Sequence, residues 1–454
     1  MSSIAEPSTI LDLVLAGATV LTADPEHPVI ENAVIGVKAG RIALLESLKE
    51  SELLPQAKET FRLPGRVVTP GFVNVHTHAN LSMVRGVAED LGFAPAYTPG
   101  IPQGHMVMPE EAYAISRLGA LEALLFGSTL INDTFVHADI VTPAMAEIGL
   151  RVFSCGRIHD VDFSGVSKGR WEYFDAIGEK TLQEAVDLAE KFHGKNGGRI
   201  GVQFAAHAPD TCSTAFLRRI GETARAKGIR VTTHLSQSKV ELARIRERDG
   251  KSPPELLDEV GLLDNRLLAA HCIHVSEDDI ARIGRAGVNV AHIPKGNATG
   301  ATIAPTARLR AAGAQLTLGT DNMHADMIEV MRWALSVGRI QEGAVTESWQ
   351  PRTVFEMATM AGARAMDLEQ EIGSIEIGKK ADLVVLDFRR PHLTPNINPL
   401  GNLVHVAHGR DVQMVVVDGE IVVKDGAPTK VDMEEICREA DAAIQALWTR
   451  AQVT

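Results

Sequence analysis

Residues 68–82 read VTPGFVNVHTHANLS, and they begin the part of the chain whose pattern predicts the fold. A run of apolar, β-type residues ends in His76-Thr77-His78. Residues two apart in a strand project to the same face, so His76 and His78 can reach one ion together while Thr77 points away. A His-x-His triplet alone is a weak signal in a chain with 16 histidines. Its meaning depends on what surrounds it.

Seven further short apolar runs follow, and helical, amphipathic segments such as PEEAYAISRLGALEALLFG (109–127) separate most of them. The eight runs are GFVNVHTH (71–78), STLINDTF (128–135), LRVFSCGRI (150–158), IGVQFAAHAP (200–209), IRVTTHLS (229–236), LLAAHCI (267–273), VNVAHIP (288–294) and AQLTLGTD (314–321). This alternation predicts an α/β fold with a parallel sheet, and eight repeats favour a closed (β/α)8 TIM barrel over residues 69–371. An open, doubly wound sheet is the alternative, but no G-x-G-x-x-G follows the first run.

Both ends of the chain lack this strand–helix alternation and are instead rich in β-type residues with turn signals. The segments are DLVLAGATVLT (12–22), ENAVIGVKAGRIALLE (31–46), KKADLVVLDF (379–388) and VQMVVVDGEIVVKDG (412–426). In the last of them, Asp418-Gly419 predicts a tight hairpin turn. The final stretch, 432–452, predicts a terminal helix that packs on its own domain or on a partner subunit.

Composition narrows the class of protein. The chain has 454 residues, of which 45% are hydrophobic and 23% charged, the balance of a soluble globular protein. Its net charge of −13 argues against a nucleic-acid or anionic membrane surface. The four cysteines are scattered and form no C-x-x-C pair, which favours reduced thiols and a cytoplasmic location. We expect no signal peptide and no membrane span.

Polar, ligand-type residues stand at the ends of six of the eight runs. In a (β/α)8 barrel the carboxyl ends of the strands form one rim, where the chemistry is built. Imidazole and carboxylate together suit Zn²⁺, Fe²⁺ or Co²⁺. The sequence therefore predicts a site for a divalent metal ion, most simply Zn²⁺, built from members of one set: His76, His78, His207, His234, His271, His292 and Asp321.

An ordered series of motifs gives the chain a family resemblance over nearly its whole length. The motifs are PGFVNVHTH, HAPDTCS, THLSQS, AHCIHVSEDDI, VAHIPKGN, LGTDNMHADMIEVMR, ATMAGARAMDLEQEIGSIEIGKKADLVVLD and VVVDGEIVVKDG. Together they resemble the amidohydrolase superfamily, in the branch with S-adenosylhomocysteine/methylthioadenosine deaminases and triazine hydrolases. The resemblance implies the barrel, residues 69–371, with a small β-sandwich domain composed of residues 1–68 and 372–454. It also implies a homodimer or a higher homo-oligomer.

The same resemblance implies roles for individual residues. His76, His78, His234 and Asp321 would bind one divalent ion, and Asp321 would also be the general base for the metal-bound water. His271 would orient or polarise the attacked group, and His207 would contact the substrate. We further expect substrate contacts from His292, and from His324, which could instead lie behind Asp321.

A long segment rich in proline and glycine, residues 83–106, follows the first run and is expected to overhang the site as a lid. Tyr97 and His105 lie in it and either contact the substrate or belong to a solvated loop. Arg157, after the third run, either holds a polar group of the substrate or makes a structural ion pair.

One position departs from the family pattern. The related deaminases carry H-x-x-E after the fifth strand, whereas this chain has HLSQ, with Gln237 in place of the glutamate that shuttles a proton. An amide donates hydrogen bonds but does not transfer protons in a catalytic cycle. The first hypothesis is therefore a metal-dependent hydrolase of a non-peptide C–N or related acyl bond in a small amide, urea or carbamate, by attack of a metal-bound water. The alternatives are an aminohydrolase of a purine-, pterin- or triazine-like heterocycle and, from another class, a non-catalytic metal- or ligand-binding relative.

Overall fold

The computed structural model describes residues 10–49, 53–91, 94–321 and 324–452. Gly92 and Phe93 of the expected lid, and the first nine residues of the expected sandwich domain, lie outside the described residues. Two nine-stranded sheets organise this part of the chain. Their strands, in chain order, are β1 (Leu11–Leu21), β2 (Val29–Lys38), β3 (Arg41–Ser47), β4 (Ala57–Arg62), β5 (Arg66–Pro70), β6 (Phe72–Thr77), β7 (Ser128–Phe135), β8 (Arg151–Ile158), β9 (Ile200–Val202), β10 (Phe204–Ala206), β11 (Val231–Leu235), β12 (Leu267–His271), β13 (Asn289–His292), β14 (Gln315–Leu318), β15 (Leu383–Asp387), β16 (Val412–Val417), β17 (Glu420–Lys424) and β18 (Ala427–Pro428).

The strands β6 to β14 form a parallel barrel in sequence order. The short strands β9 and β10 both pair with β8 and together occupy the fourth position, so the barrel has eight positions, as the eight runs predict. A parallel bridge between Thr77 and Asp321 joins the first strand to the segment after the last one. The predicted (β/α)8 barrel is therefore confirmed, and its closure lies at the first predicted ligands.

The other sheet combines both chain ends in the order β18-β17-β16-β15-β5-β1-β2-β3, with β4 added beside β1. Most pairs are antiparallel, while β4 and β5 run parallel to β1. Asp418 and Gly419 connect β16 to β17 with φ of 50° and 77°, the left-handed conformations that a two-residue hairpin turn of this type requires. The hairpin prediction is confirmed, while the exact domain limits, 1–68 with 372–454 and 69–371, stay a prediction.

Helices cover the outside of the barrel and turn their apolar faces towards it. The described α-helices of six residues or more are Pro109–Leu125, Ala138–Glu147, Asp175–Phe192, Thr214–Lys227, Lys239–Asp249, Pro253–Glu259, Glu277–Arg285, Pro294–Thr299, Thr306–Ala311, Met327–Glu342, Pro351–Ala358, Met360–Ala365, Pro399–His405 and Met433–Ala451. The predicted terminal helix, Met433–Ala451, packs against Pro109–Leu125 of its own chain. None of the helices in the described ranges combines the length and the apolarity that a membrane crossing needs.

Candidate metal centre and active site

Four side chains meet at the carboxyl-end rim where the barrel closes. The Nε2 atoms of His76 and His78 lie 3.6 Å and 3.4 Å from Oδ1 of Asp321. Nε2 of His234 lies 3.1 Å from Nε2 of His78. All four residues are nearly buried, at 2–8% exposure. The four predicted metal ligands are thus brought together from three strands that are far apart in sequence.

Backbone contacts at the barrel closure place Asp321. Its N–H donates to the carbonyl of His76 at 2.9 Å, and its carbonyl accepts from the N–H of His78 at 2.9 Å. Gly319 makes this approach possible, because a Cβ there would lie 2.8 Å from the His76 carbonyl oxygen. Asp321 itself has a φ of 65°, a left-handed conformation that is costly for a residue with a side chain. This strain falls at the predicted general base.

Hydrogen bonds fix the orientation of two imidazoles. Nδ1 of His78 lies 2.5 Å from the carbonyl oxygen of Thr134, and Nδ1 of His234 lies 2.6 Å from that of His207. A carbonyl only accepts, so each Nδ1 carries the proton and donates it. Each Nε2 then presents a lone pair towards the cluster. Such carbonyl partners are the usual support of histidines that bind metals.

The free nitrogen lone pairs and the carboxylate of this cluster suit a bound cation. The two facing Nε2 atoms of His78 and His234 have no proton to share. Neither ring nitrogen of His76 has a hydrogen-bond partner among the described residues, although both are buried. Burial lowers the pKa of His76 well below its usual value, and burial with the neighbouring His76 lowers the pKa of His78 to about 3. Neutral imidazoles and one carboxylate fit a divalent ion that accepts nitrogen and oxygen ligands.

His271 lies next to His76 and His234 of the cluster. Its ring centroid is 5.7 Å from that of His76 and 5.6 Å from that of His234. Nδ1 is 3.1 Å from Oδ1 of Asn297, which holds the ring in one orientation. Ligand atoms fall into two overlapping sets within 4.8 Å: His76, His78 and Asp321, and His76, His234 and His271. The geometry therefore allows His271 to contact an ion bound by the cluster, or a substrate group that such an ion polarises.

A cavity of about 60 Å³ opens above the cluster. Four of the other predicted site residues line it: Tyr97, Arg157, His207 and Gln237. His105 lines an adjoining cleft of about 770 Å³ instead. The cavity and the cleft are neighbours, because both are lined by Gly104, Phe135 and Arg157.

His292 and His324 are not among the described residues of the cavity wall. The ring nitrogens of both are buried and have no hydrogen-bond partner in the described part of the chain. Burial lowers the pKa of each to about 3. A strand-end position identifies the rim but not the direction of the side chain, so their predicted contact with substrate stays a prediction that this geometry does not favour.

Arg157 has no ion pair and no hydrogen bond with any described residue, so the structural ion pair considered for it is not formed. Its guanidinium lies over the ring of Phe163, 4.0 Å from the centroid. Burial lowers its pKa to about 10, which leaves it charged at neutral pH. A buried charge without a carboxylate partner among the described residues is costly, which is consistent with a role in binding.

Three supporting residues escaped the sequence analysis. Glu241 accepts hydrogen bonds from the backbone N–H groups of Ser236 and Gln237, both at 2.8 Å, and so orients Gln237. Asp210 accepts a hydrogen bond from the Tyr97 hydroxyl at 3.0 Å. Asn297 positions His271. The capping pattern Ser238-x-x-Glu241 was a usable signal for Glu241, whereas no local pattern indicated the other two.

Comparison with known proteins identifies the family of the chain. Residues 67–422 match the model of the amidohydrolase family. The chain is 36% identical to a 5-methylthioadenosine/S-adenosylhomocysteine deaminase of Desulforudis audaxviator, over 91% of this chain and 94% of the relative. It is 33% identical to a 5'-deoxyadenosine deaminase of Methanosarcina acetivorans, over 97% and 99%.

Among solved structures, an adenosine deaminase from Xanthomonas campestris with bound zinc superposes with a TM-score of 0.87. The sequences are 26% identical, and the match covers 98% of this chain and 100% of that one. These relatives favour the aminohydrolase alternative over the amide, urea or carbamate hypothesis. The chain belongs to the amidohydrolase family and is a hydrolase that acts on carbon–nitrogen bonds other than peptide bonds.

Proposed function

We propose that this protein is a metal-dependent aminohydrolase that exchanges the amino group of a nucleoside-like or related heterocycle for oxygen. The observation that carries the proposal is similarity over nearly the full length to two relatives named as deaminases of adenosine-type compounds. The cluster of neutral imidazoles beside Asp321 supports it, because hydrolytic deamination needs an activated water. Cytoplasmic location and a homo-oligomeric assembly stay predictions.

We assign the ion to His76, His78, His234 and Asp321, with Zn²⁺ as the default and Fe²⁺ or Co²⁺ as fits to the same donors. When bound, a divalent ion lowers the pKa of a coordinated water and polarises the group under attack. Asp321 stands beside the two histidine Nε2 atoms, at 3.4–3.6 Å, where it can take the water's proton and pass it to the leaving amine.

The remaining residues hold the substrate. His271 keeps its protonated Nδ1 on Asn297, so its other nitrogen faces the cluster and can accept a hydrogen bond from the attacking water or from the amino group. His207 lies beside His234, with 5.0 Å between ring centroids. Arg157 presents a charged donor where the cavity meets the adjoining cleft. A substrate larger than one ring would extend into that cleft, past Arg157.

Gln237 favours a second candidate function. It lines the cavity and its backbone is fixed by Glu241. A Gln side chain can donate a hydrogen bond to a ring nitrogen or a carbonyl oxygen but cannot protonate either. Amides, ureas and carbamates need no ring protonation, because their carbonyl carbon is already electrophilic. Hydrolysis of such a carbonyl compound is therefore the second candidate, with the same roles for the ion and for Asp321.

Product analysis separates the two candidates. Metal-loaded protein would be incubated with aminopurine nucleosides, pterins and triazines, and with aryl and alkyl amides, ureas and carbamates. We expect a product whose ring is intact and whose amino group has become oxygen, with ammonia released. Cleavage of a carbonyl compound into two fragments, with no change in the heterocycles, would establish the second candidate instead. An Asp321→Asn variant should abolish either reaction.

A further inference from the structure

Part of the cavity wall is formed by residues 94–108, here called the wall segment, which has little regular structure. Two short 3₁₀ turns, Pro95–Tyr97 and Gly104–Met106, are its only helical parts. Tyr97 and Gly104 face the catalytic cavity. An irregular segment of this kind needs contacts from elsewhere to keep one shape, because its backbone makes few regular hydrogen bonds.

The last turns of the terminal helix, Met433–Ala451, supply such contacts. Arg450 donates from Nη2 to the carbonyl of Met106 at 2.9 Å. The same guanidinium makes a two-pronged ion pair with Glu111, at 2.8 Å and 2.7 Å. Glu111 in turn accepts from the backbone N–H of Met108 at 2.8 Å. Arg450 and Glu111 therefore hold the carboxyl end of the wall segment from both sides.

A second contact from the same helix reaches the other edge of the site. Nε1 of Trp448 donates to the carbonyl of Met83 at 2.8 Å. Met83 lies in the 3₁₀ helix Ala79–Val84, which begins directly after His78. The terminal helix itself is anchored to the protein by Ile436, Ala440 and Leu447, which are fully buried.

From these contacts we propose that Trp448 and Arg450 are positioning residues of the active site. They tie the segment after His78 and the wall segment to one helix, 365 and 344 residues further along the chain. A fixed wall lowers the ordering cost of substrate binding, and a two-pronged arginine–carboxylate pair is a geometrically specific support. The kinetic part of this inference rests on the proposed hydrolase function, whereas the structural part needs no substrate.

The test uses Arg450→Gln and Trp448→Phe, which remove the donors and keep most of the packing. Glu439→Gln is the matched control: it breaks the ion pair of 2.9 Å with Arg117 between the same two helices, without contact to the wall segment. Hydrogen–deuterium exchange followed by mass spectrometry would be measured on the full-length, metal-loaded proteins, together with metal content and melting temperature.

We expect exchange in residues 94–108 to rise about tenfold in Arg450→Gln, and exchange in residues 79–85 to rise about fivefold in Trp448→Phe, from the loss of a charged and a neutral hydrogen bond. KM for the substrate that the unmodified protein accepts should rise with kcat nearly unchanged. Equal exchange in Arg450→Gln and Glu439→Gln, or faster exchange without a change in KM, would overturn the proposal. If no compound is turned over, the proposed function fails, and the exchange data still decide whether the helix holds the wall.

Discussion

The buried histidine cluster predicts that the metal-free protein is sensitive to mild acid. Burial and the neighbouring His76 lower the pKa of His78 from 6.5 to about 3 in the folded protein. The unfolded chain therefore binds this proton more readily, so the associated stability is fully present above pH 6.5 and is lost as the pH falls from 6.5 towards 3.

The size of the effect follows from the shift. A difference of about 3.5 pKa units corresponds to roughly 5 kcal/mol at 1.36 kcal/mol per unit, and this group is too deeply buried for solvent to screen it. That is comparable with the roughly 5–15 kcal/mol that usually holds a domain folded. About 3 kcal/mol of it is lost by pH 4, at 1.36 kcal/mol per pH unit below 6.5, so we expect the melting temperature of the metal-free protein to fall steadily between about pH 6 and 4. A bound ion delays the loss, since His78 must release the ion before it binds a proton.

The assay is thermal unfolding at pH 8, 7, 6, 5 and 4 with and without prior chelation. His78→Gln should flatten the acid limb of the chelated protein, while His27→Gln, at an exposed surface position, should leave it unchanged. A melting temperature of the chelated protein that is independent of pH between 7 and 5, or equal slopes in both variants, would refute the reasoning.

Three further predictions concern single side chains. Gln237→Glu should increase ammonia release from an amino-heterocycle by at least about tenfold, because general acid catalysis contributes roughly 10²–10⁴-fold; no gain, with carbonyl hydrolysis unchanged, would favour the second candidate. Asn297→Leu should lower kcat/KM by about 10–100-fold through loss of the bond to His271 Nδ1, while Asn297→Asp, which keeps an acceptor oxygen, should retain more activity in the same steady-state assay. Arg157→Met should raise KM without lowering the melting temperature, because within the described residues the buried guanidinium has no ion pair or hydrogen bond to lose, and a methionine can still pack against the Phe163 ring; a clear loss of stability would show that Arg157 is structural.

The barrel and its rim were predictable because both depend on local pattern. Strand-ending residues such as His76 and His234 share one rim in any parallel barrel, so the cluster follows from the order of the runs. The hairpin at Asp418-Gly419 was equally local, since few residues tolerate positive φ at two successive positions.

Features that depend on side-chain direction or on distant contacts were not predictable. His292 ends a strand as His234 does, yet only His234 lines the cavity. The partner of His271 lies on the helix after the next strand, 26 residues away. The contact between Arg450 and Met106 joins segments 344 residues apart, for which no spacing rule exists.

Metal analysis of the purified protein and of a His76→Ala variant tests the central claim most directly. Inductively coupled plasma mass spectrometry on chains dialysed without chelator should find about one divalent ion per chain, because four ligands from one cluster suit one ion. The ion should be lost in His76→Ala, whose buried Nε2 has no hydrogen-bond partner in the described structure. An ion content unaffected by His76→Ala, or full activity after complete chelation, would contradict a catalytic metal at this cluster.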